Sequence, residues 1–186
     1  MVAKPNTWAK AVGAAARQST TGELAARHKE RINYWASFAE YLKEHDPTFQ
    51  IRRQNRDHWF EFPIGRAGII ISATISTSRF KRVGVVLYLS SDPTKVGIRQ
   101  LWLERAEIEA EFGEKLAWQE LANKKASRIV IYLQNVDPSD PTAYPQLHAW
   151  MLDRMQRFRR VFAERVKTID FNAPSEDEAE GPEIVT

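Results

Sequence analysis

The chain has 186 residues, 43% of them hydrophobic, with 27 Lys or Arg against 24 Asp or Glu and no cysteine. That length suits one domain with tails, and the lack of cysteine excludes a disulfide framework, a thiolate nucleophile and a thiolate zinc site, so a reducing cytoplasm is the expected compartment. Apolar runs such as 68–71 and 83–89 fall far short of the roughly 18 residues that a membrane span needs, so no membrane is expected among the partners.

The opening, MVAKPNTWAKAVGAAARQ, is Ala-rich and carries no dense apolar pattern, so residues 1–22 read as a linker-like head that expects a domain upstream. From Glu23 to about His45 the spacing turns helical. Trp35, Phe38 and Leu42 share a stripe, Tyr34 and Tyr41 widen it, and Asp46-Pro47 ends it. In HWFEFPIGRAGIIISATIS, Phe60, Phe62 and Ile64 alternate with Trp59 and Glu61. Ile69, Ile71, Ala73 and Ile75 then alternate with Ser72 and Thr74, which predicts a β-hairpin about IGRAG. STSRFKR turns the chain into a third antiparallel strand, with Val83, Val85, Leu87 and Leu89 on one face and Val86 and Tyr88 on the other.

Asp92-Pro93-Thr94 opens a second helix, which Ile98, Leu101, Arg105, Ile108 and Phe112 carry to Gly113. LAWQEL and SRIVIYLQ flank ANKKA as another hairpin, and a last long helix turns Leu147, Met151, Phe158 and Phe162 inward. The order α-β-β-β-α-β-β-α predicts an α+β fold, an antiparallel sheet of about five strands packed against helices, over residues 23–169. From Asp170 onward the chain holds six of the 24 acids and none of the 27 bases. Residues 170–186 are therefore expected to be a disordered acidic tail, and residues 1–169 carry a formal charge of about +9.

These elements resemble a known family. The segments KPNTWAKAV, RINYWASFAEYL, HWFEFPIGRAGIIISATI, RVGVVLYL, LAWQEL and KKASRIVIY are similar to an uncharacterised bacterial family of C-terminal domains, across residues 4 to about 169. In longer members that domain follows an N-terminal half similar to PD-(D/E)XK nucleases, with the KPN-x-W segment at the junction. The resemblance implies an excised or free-standing C-terminal half in a family associated with restriction and defence, and it carries no catalytic residues into this half.

The first six elements share the order of a PD-(D/E)XK core, which needs a carboxylate on its second strand and a Glu-x-Lys type pair on its third. The corresponding strands here, GIIISATIS and VGVVLYLS, hold no acid and no lysine, so no catalysis and no cofactor are expected of this chain alone. His28, His45, His58 and His148 are scattered without ligand spacing, and Asp137 and Asp140 read as helix-entry residues.

Basic residues supply the candidate nucleic-acid contacts. Arg52, Arg53 and Arg56 precede the first strand, Arg79, Lys81 and Arg82 stand at one hairpin tip, and Lys124, Lys125 and Arg128 stand at another. Arg154, Arg157 and Arg160 recur every third residue on the last helix, away from its apolar stripe. Tips at one end of a sheet would follow a phosphate backbone; edge and turn lysines also serve simply to keep a sheet from aggregating. Trp59, Tyr88 and Tyr132 fall opposite the main aliphatic row with Ile70, Val86 and Val130. That face suits base stacking if open, and its aliphatic members favour a cover. The expected role is a non-catalytic accessory domain of a nuclease-like defence protein, contributing DNA contact or assembly. Its expected partners are DNA, a nuclease-like half or separate subunit, and a second copy. The alternative is a pure interaction or dimerisation module with no nucleic-acid binding.

Overall fold

The computed structural model describes residues 7–51, 57–77 and 80–174, with side chains from residue 24 onward. It is an α+β fold in which one antiparallel sheet, strand order β1-β2-β3-β5-β4, carries helices against its inner face. The strands are β1 (Trp59–Pro63), β2 (Ile69–Ser76), β3 (Arg82–Leu89), β4 (Ala117–Gln119) and β5 (Ser127–Gln134). The period-two alternation sets the register, because a slip of one residue would turn the aliphatic row to the wrong side. Phe62, Ile71, Leu87 and Ile129 thus stand in one inner rung, and Ala73, Val85 and Ile131 in the next.

Helix α1 runs over Thr7–His45, so its backbone begins sixteen residues before the apolar stripe at Glu23. Alanine needs no tertiary partner to favour helix, and the absence of a stripe in the head did not stop the helix from continuing. The aromatic segment of α1 packs on α4 (Tyr144–Phe162), with Tyr34, Trp35 and Phe38 each at most 1% exposed. The second helix is broken into α2 (Val96–Leu103) and α3 (Arg105–Phe112) at Glu104, whose backbone (φ −95°, ψ 10°) leaves the helical range. A short α5 (Arg165–Thr168) follows α4.

The entry to α2 is fastened by two buried charged side chains. The Asp92 carboxylate accepts the N–H groups of Gly97 at 2.8 Å and Ile98 at 3.1 Å, and Lys95 Nζ donates to the carbonyls of Lys124 at 2.6 Å and Ala126 at 2.8 Å. This clip joins the β3–α2 loop to the β4–β5 turn. Asp170 and Phe171, at the head of the expected acidic tail, are tied down as well. Gln100 bonds both backbone groups of Asp170, and the Phe171 ring packs where Gly97 has no Cβ to obstruct it. Residues 175–186, the rest of that tail, lie outside the described residues.

The candidate nucleic-acid interface

The alternate positions of β1, β2, β3 and β5 build the outer face of the sheet. Trp59, Thr74, Gly84 and Tyr132 form one rung; Glu61, Ser72, Val86, Val130 and Ala117 the next; Pro63, Ile70, Tyr88, Arg128 and Gln119 a third. Val86 and Val130 are buried, and Trp59, Ile70, Tyr88 and Tyr132 are half-buried and do not pack into the core with the helices. This face therefore presents aromatic rings and arginines around a small aliphatic floor.

Gly84 organises the rung it sits in. A Cβ there would lie 2.4 Å from Tyr132 Cδ1, so glycine is what lets the Tyr132 ring lie down on the sheet. Thr74 Oγ1 donates to Gly84 O at 3.2 Å and closes the other side. The Arg82 guanidinium stacks over the Tyr132 ring at 3.8 Å and over the Phe80 ring at 4.7 Å, and among the described residues it has no carboxylate partner. Such cation–π contacts hold a guanidinium in plane while leaving its N–H edge available.

Beside this stack lies a groove of about 380 Å3, to which Arg31, His58, Thr74, Phe80, Arg82 and Arg128 contribute, and among the described residues no acid lines it. Burial, reinforced by the Arg31 charge and opposed by Asp57, holds the His58 imidazole below its usual pKa and so favours the neutral ring. Arg128 Nε donates to Gln119 Oε1 at 2.6 Å, a neutral partner that leaves the arginine charge uncompensated there.

The remaining candidate cations are distributed differently. Arg52, Arg53, Arg56 and Arg79 lie outside the described residues. Lys81 is paired with Asp137 at 2.5 Å, an interaction that holds the Asp137 carboxyl down at about 2. Lys124 and Lys125 are exposed in the β4–β5 turn. The two basic tips do not share an end of the sheet: Arg82 stands opposite Gln134, whereas Leu89, seven residues along β3, stands opposite Ser127. At about 3.3 Å per residue the tips are roughly 23 Å apart.

On α4, Arg154 is engaged by Glu114 at 2.7 Å and Asp153 at 3.0 Å, and Arg157 by Asp153 at 2.9 Å and the Phe112 carbonyl at 3.1 Å. These two residues fasten α4 to the end of α3, and Arg160 is exposed. The buried acid Glu109 is likewise saturated. Burial would raise its pKa, but the N–H of Leu116, Lys115, Arg105 and the Trp118 indole together hold it at about 2. Among the described residues no three His, Cys, Asp or Glu side chains gather as a metal site, and no helix is long and apolar enough to cross a membrane.

The groove unites Arg31, His58 and Phe80 with Arg82 and Arg128. The first three do not stand out in sequence, since Arg31 sits on the polar side of α1 and His58 and Phe80 lie in turns.

A family model described as a domain of unknown function (DUF4268) matches residues 30–166. The chain belongs to the DUF4268 family. No curated protein and no solved structure matches it. The DUF4268 match takes in every residue named in the groove, from Arg31 to Tyr132, while the acidic segment beyond Asp170 falls outside it.

Proposed function

We propose that this DUF4268 domain is a non-catalytic accessory module that contacts nucleic acid through the outer face of its sheet. The observation that carries this reading is the stack of Arg82 on Tyr132 beside a groove that also holds Arg128 and that no acid lines among the described residues. Arginines interleaved with aromatic planes suit a polyanion whose bases stack, and the formal charge of about +9 over residues 1–169 draws such a partner in. The resemblance carried by the sequence segments supplies the setting, a nuclease-like half whose DNA this domain would help hold in a defence protein.

The test is the salt dependence of binding to a labelled oligonucleotide. Affinity should fall steeply with added salt, and Arg82→Glu with Arg128→Glu should flatten the log–log slope by about 0.7 to 0.9 for each phosphate that the variant no longer neutralises. No binding by the parent chain at low salt would remove the reading.

Assembly is the second reading, and a different surface favours it. Leu103 is 85% exposed and Trp102 45% exposed, beside Trp118 on the three-residue edge strand β4. If the domain acts by association there, Leu103→Asp should abolish a salt-insensitive oligomer in analytical ultracentrifugation.

A further inference from the structure

We propose that the groove beside Arg82 accepts one unpaired nucleobase, so that the domain binds single-stranded nucleic acid in preference to duplex. This rests on the nucleic-acid reading above and specifies its ligand.

The size of the recess is the first reason. At about 380 Å3 it falls in the range of small-ligand pockets, roughly 300–1,000 Å3, and it is a concavity bounded by α1, the approach to β1 and the outer face of the sheet. Duplex DNA keeps its bases stacked inside and is read by protein elements that protrude into its grooves. A recess in the protein works the other way round and admits a base only after it has left the stack.

The second reason is the planar surface available. Phe80, Arg82 and Tyr132 form a layered series, with Arg82 over both rings and Phe80 at the outer end, 53% exposed. A base laid against the exposed part of these planes would join that series, which is how single strands are held without sequence preference. Gly84 fixes the inner end by allowing Tyr132 to lie flat.

The third reason is the polar chemistry of the walls. Thr74 already donates its hydroxyl proton to Gly84 O, so its oxygen is left as an acceptor, and the neutral form of His58 offers one donor and one acceptor. Arg82 and Arg128 supply positive charge, and among the described residues no acid lines the groove. Groups that read the edge of a base therefore sit beside groups that suit its phosphates.

The experiment uses the full 186-residue chain and fluorescence anisotropy. The probes are a labelled twelve-residue oligothymidylate, an abasic strand with the same number of phosphates, the thymidylate strand in duplex, and oligouridylate of the same length. The thymidylate strand should bind on the order of tenfold tighter than both the abasic strand and the duplex. Phe80→Ala should erase most of that advantage, and Phe80→Trp should keep or increase it; the site is exposed, so both variants should fold. Oligouridylate binding with the same base dependence supports the proposal, and its strength relative to thymidylate identifies RNA or DNA as the natural source. Equal affinity for abasic and thymidylate strands, or tighter binding of duplex, would overturn the single-strand proposal and leave phosphate contact standing. Failure of every strand to bind would overturn the nucleic-acid reading itself.

Discussion

Gly84 and His148 show how much single residues determine here. The missing Cβ at Gly84 sets the tilt of Tyr132, and through it the position of Arg82, so Gly84→Ala must push the ring away from the sheet. We expect a loss of about 1–3 kcal/mol of stability by chemical denaturation, together with weaker oligonucleotide binding by the folded fraction. A variant that binds as well as the parent would show that Tyr132 is not part of the site. His148 works in the core instead. It is 2% exposed, lies within 5.0–5.6 Å of the rings of Tyr34, Phe38, Tyr41 and Tyr144, and among the described residues its Nε2 has no hydrogen-bond partner. Burial pushes its pKa down to about 4, whereas the unfolded chain takes up the proton near 6.5. Stability is then fully present above about pH 6.5 and declines as pH falls toward 4, by up to about 3 kcal/mol. Glu109, held at about 2, contributes its own loss only below its ordinary value of 4.5, so the two windows separate. Urea midpoints between pH 7 and pH 5 should fall more in the parent than in His148→Leu, where only His58 still titrates from a lowered value; parallel curves would show that His148 has no such role.

At the scale of elements, the α4 arginines test whether spacing alone identifies a binding stripe. Arg154 and Arg157 are bound to Glu114, Asp153 and the Phe112 carbonyl, so their charge is used between α3 and α4. Replacing both by Glu should cost about 2 kcal/mol and change oligonucleotide affinity less than twofold, whereas Arg82→Glu should weaken binding strongly at little cost in stability. The opposite pattern in calorimetry and anisotropy would return the site to α4. What hid this in the sequence is that Glu114 lies forty residues away, where no helical periodicity reaches. The strands were more legible, because alternation is local: the residues of β2, β3 and β5 fall on the faces that their spacing indicates. Two boundaries were not. LAWQEL yields only three strand residues, since Leu121 takes a left-handed backbone (φ 53°) and starts the turn, and the break at Glu104 leaves both flanking apolar stripes in register with the core.

For the whole molecule, the element order and the single sheet follow from patterning, and the candidate site does not. Its residues come from α1, from the approach to β1, from both sides of the β2–β3 turn and from β5, and only the assembled sheet brings them together. The outer face was expected to favour burial on account of Val86 and Val130. Those two are buried, yet the rings around them are only half-buried, which is what gives the face both a floor and stacking surface. The central claim is that this face, and neither α4 nor the Trp102–Leu103 patch, meets nucleic acid. Titration of the 15N-labelled chain with a short oligothymidylate, followed by amide chemical shifts, tests it most directly. The largest perturbations should fall on Thr74, Arg82, Gly84, Arg128 and Tyr132 and shrink in added salt. Perturbations confined to α4 or to Trp102 and Leu103, or a spectrum that does not change, would contradict it.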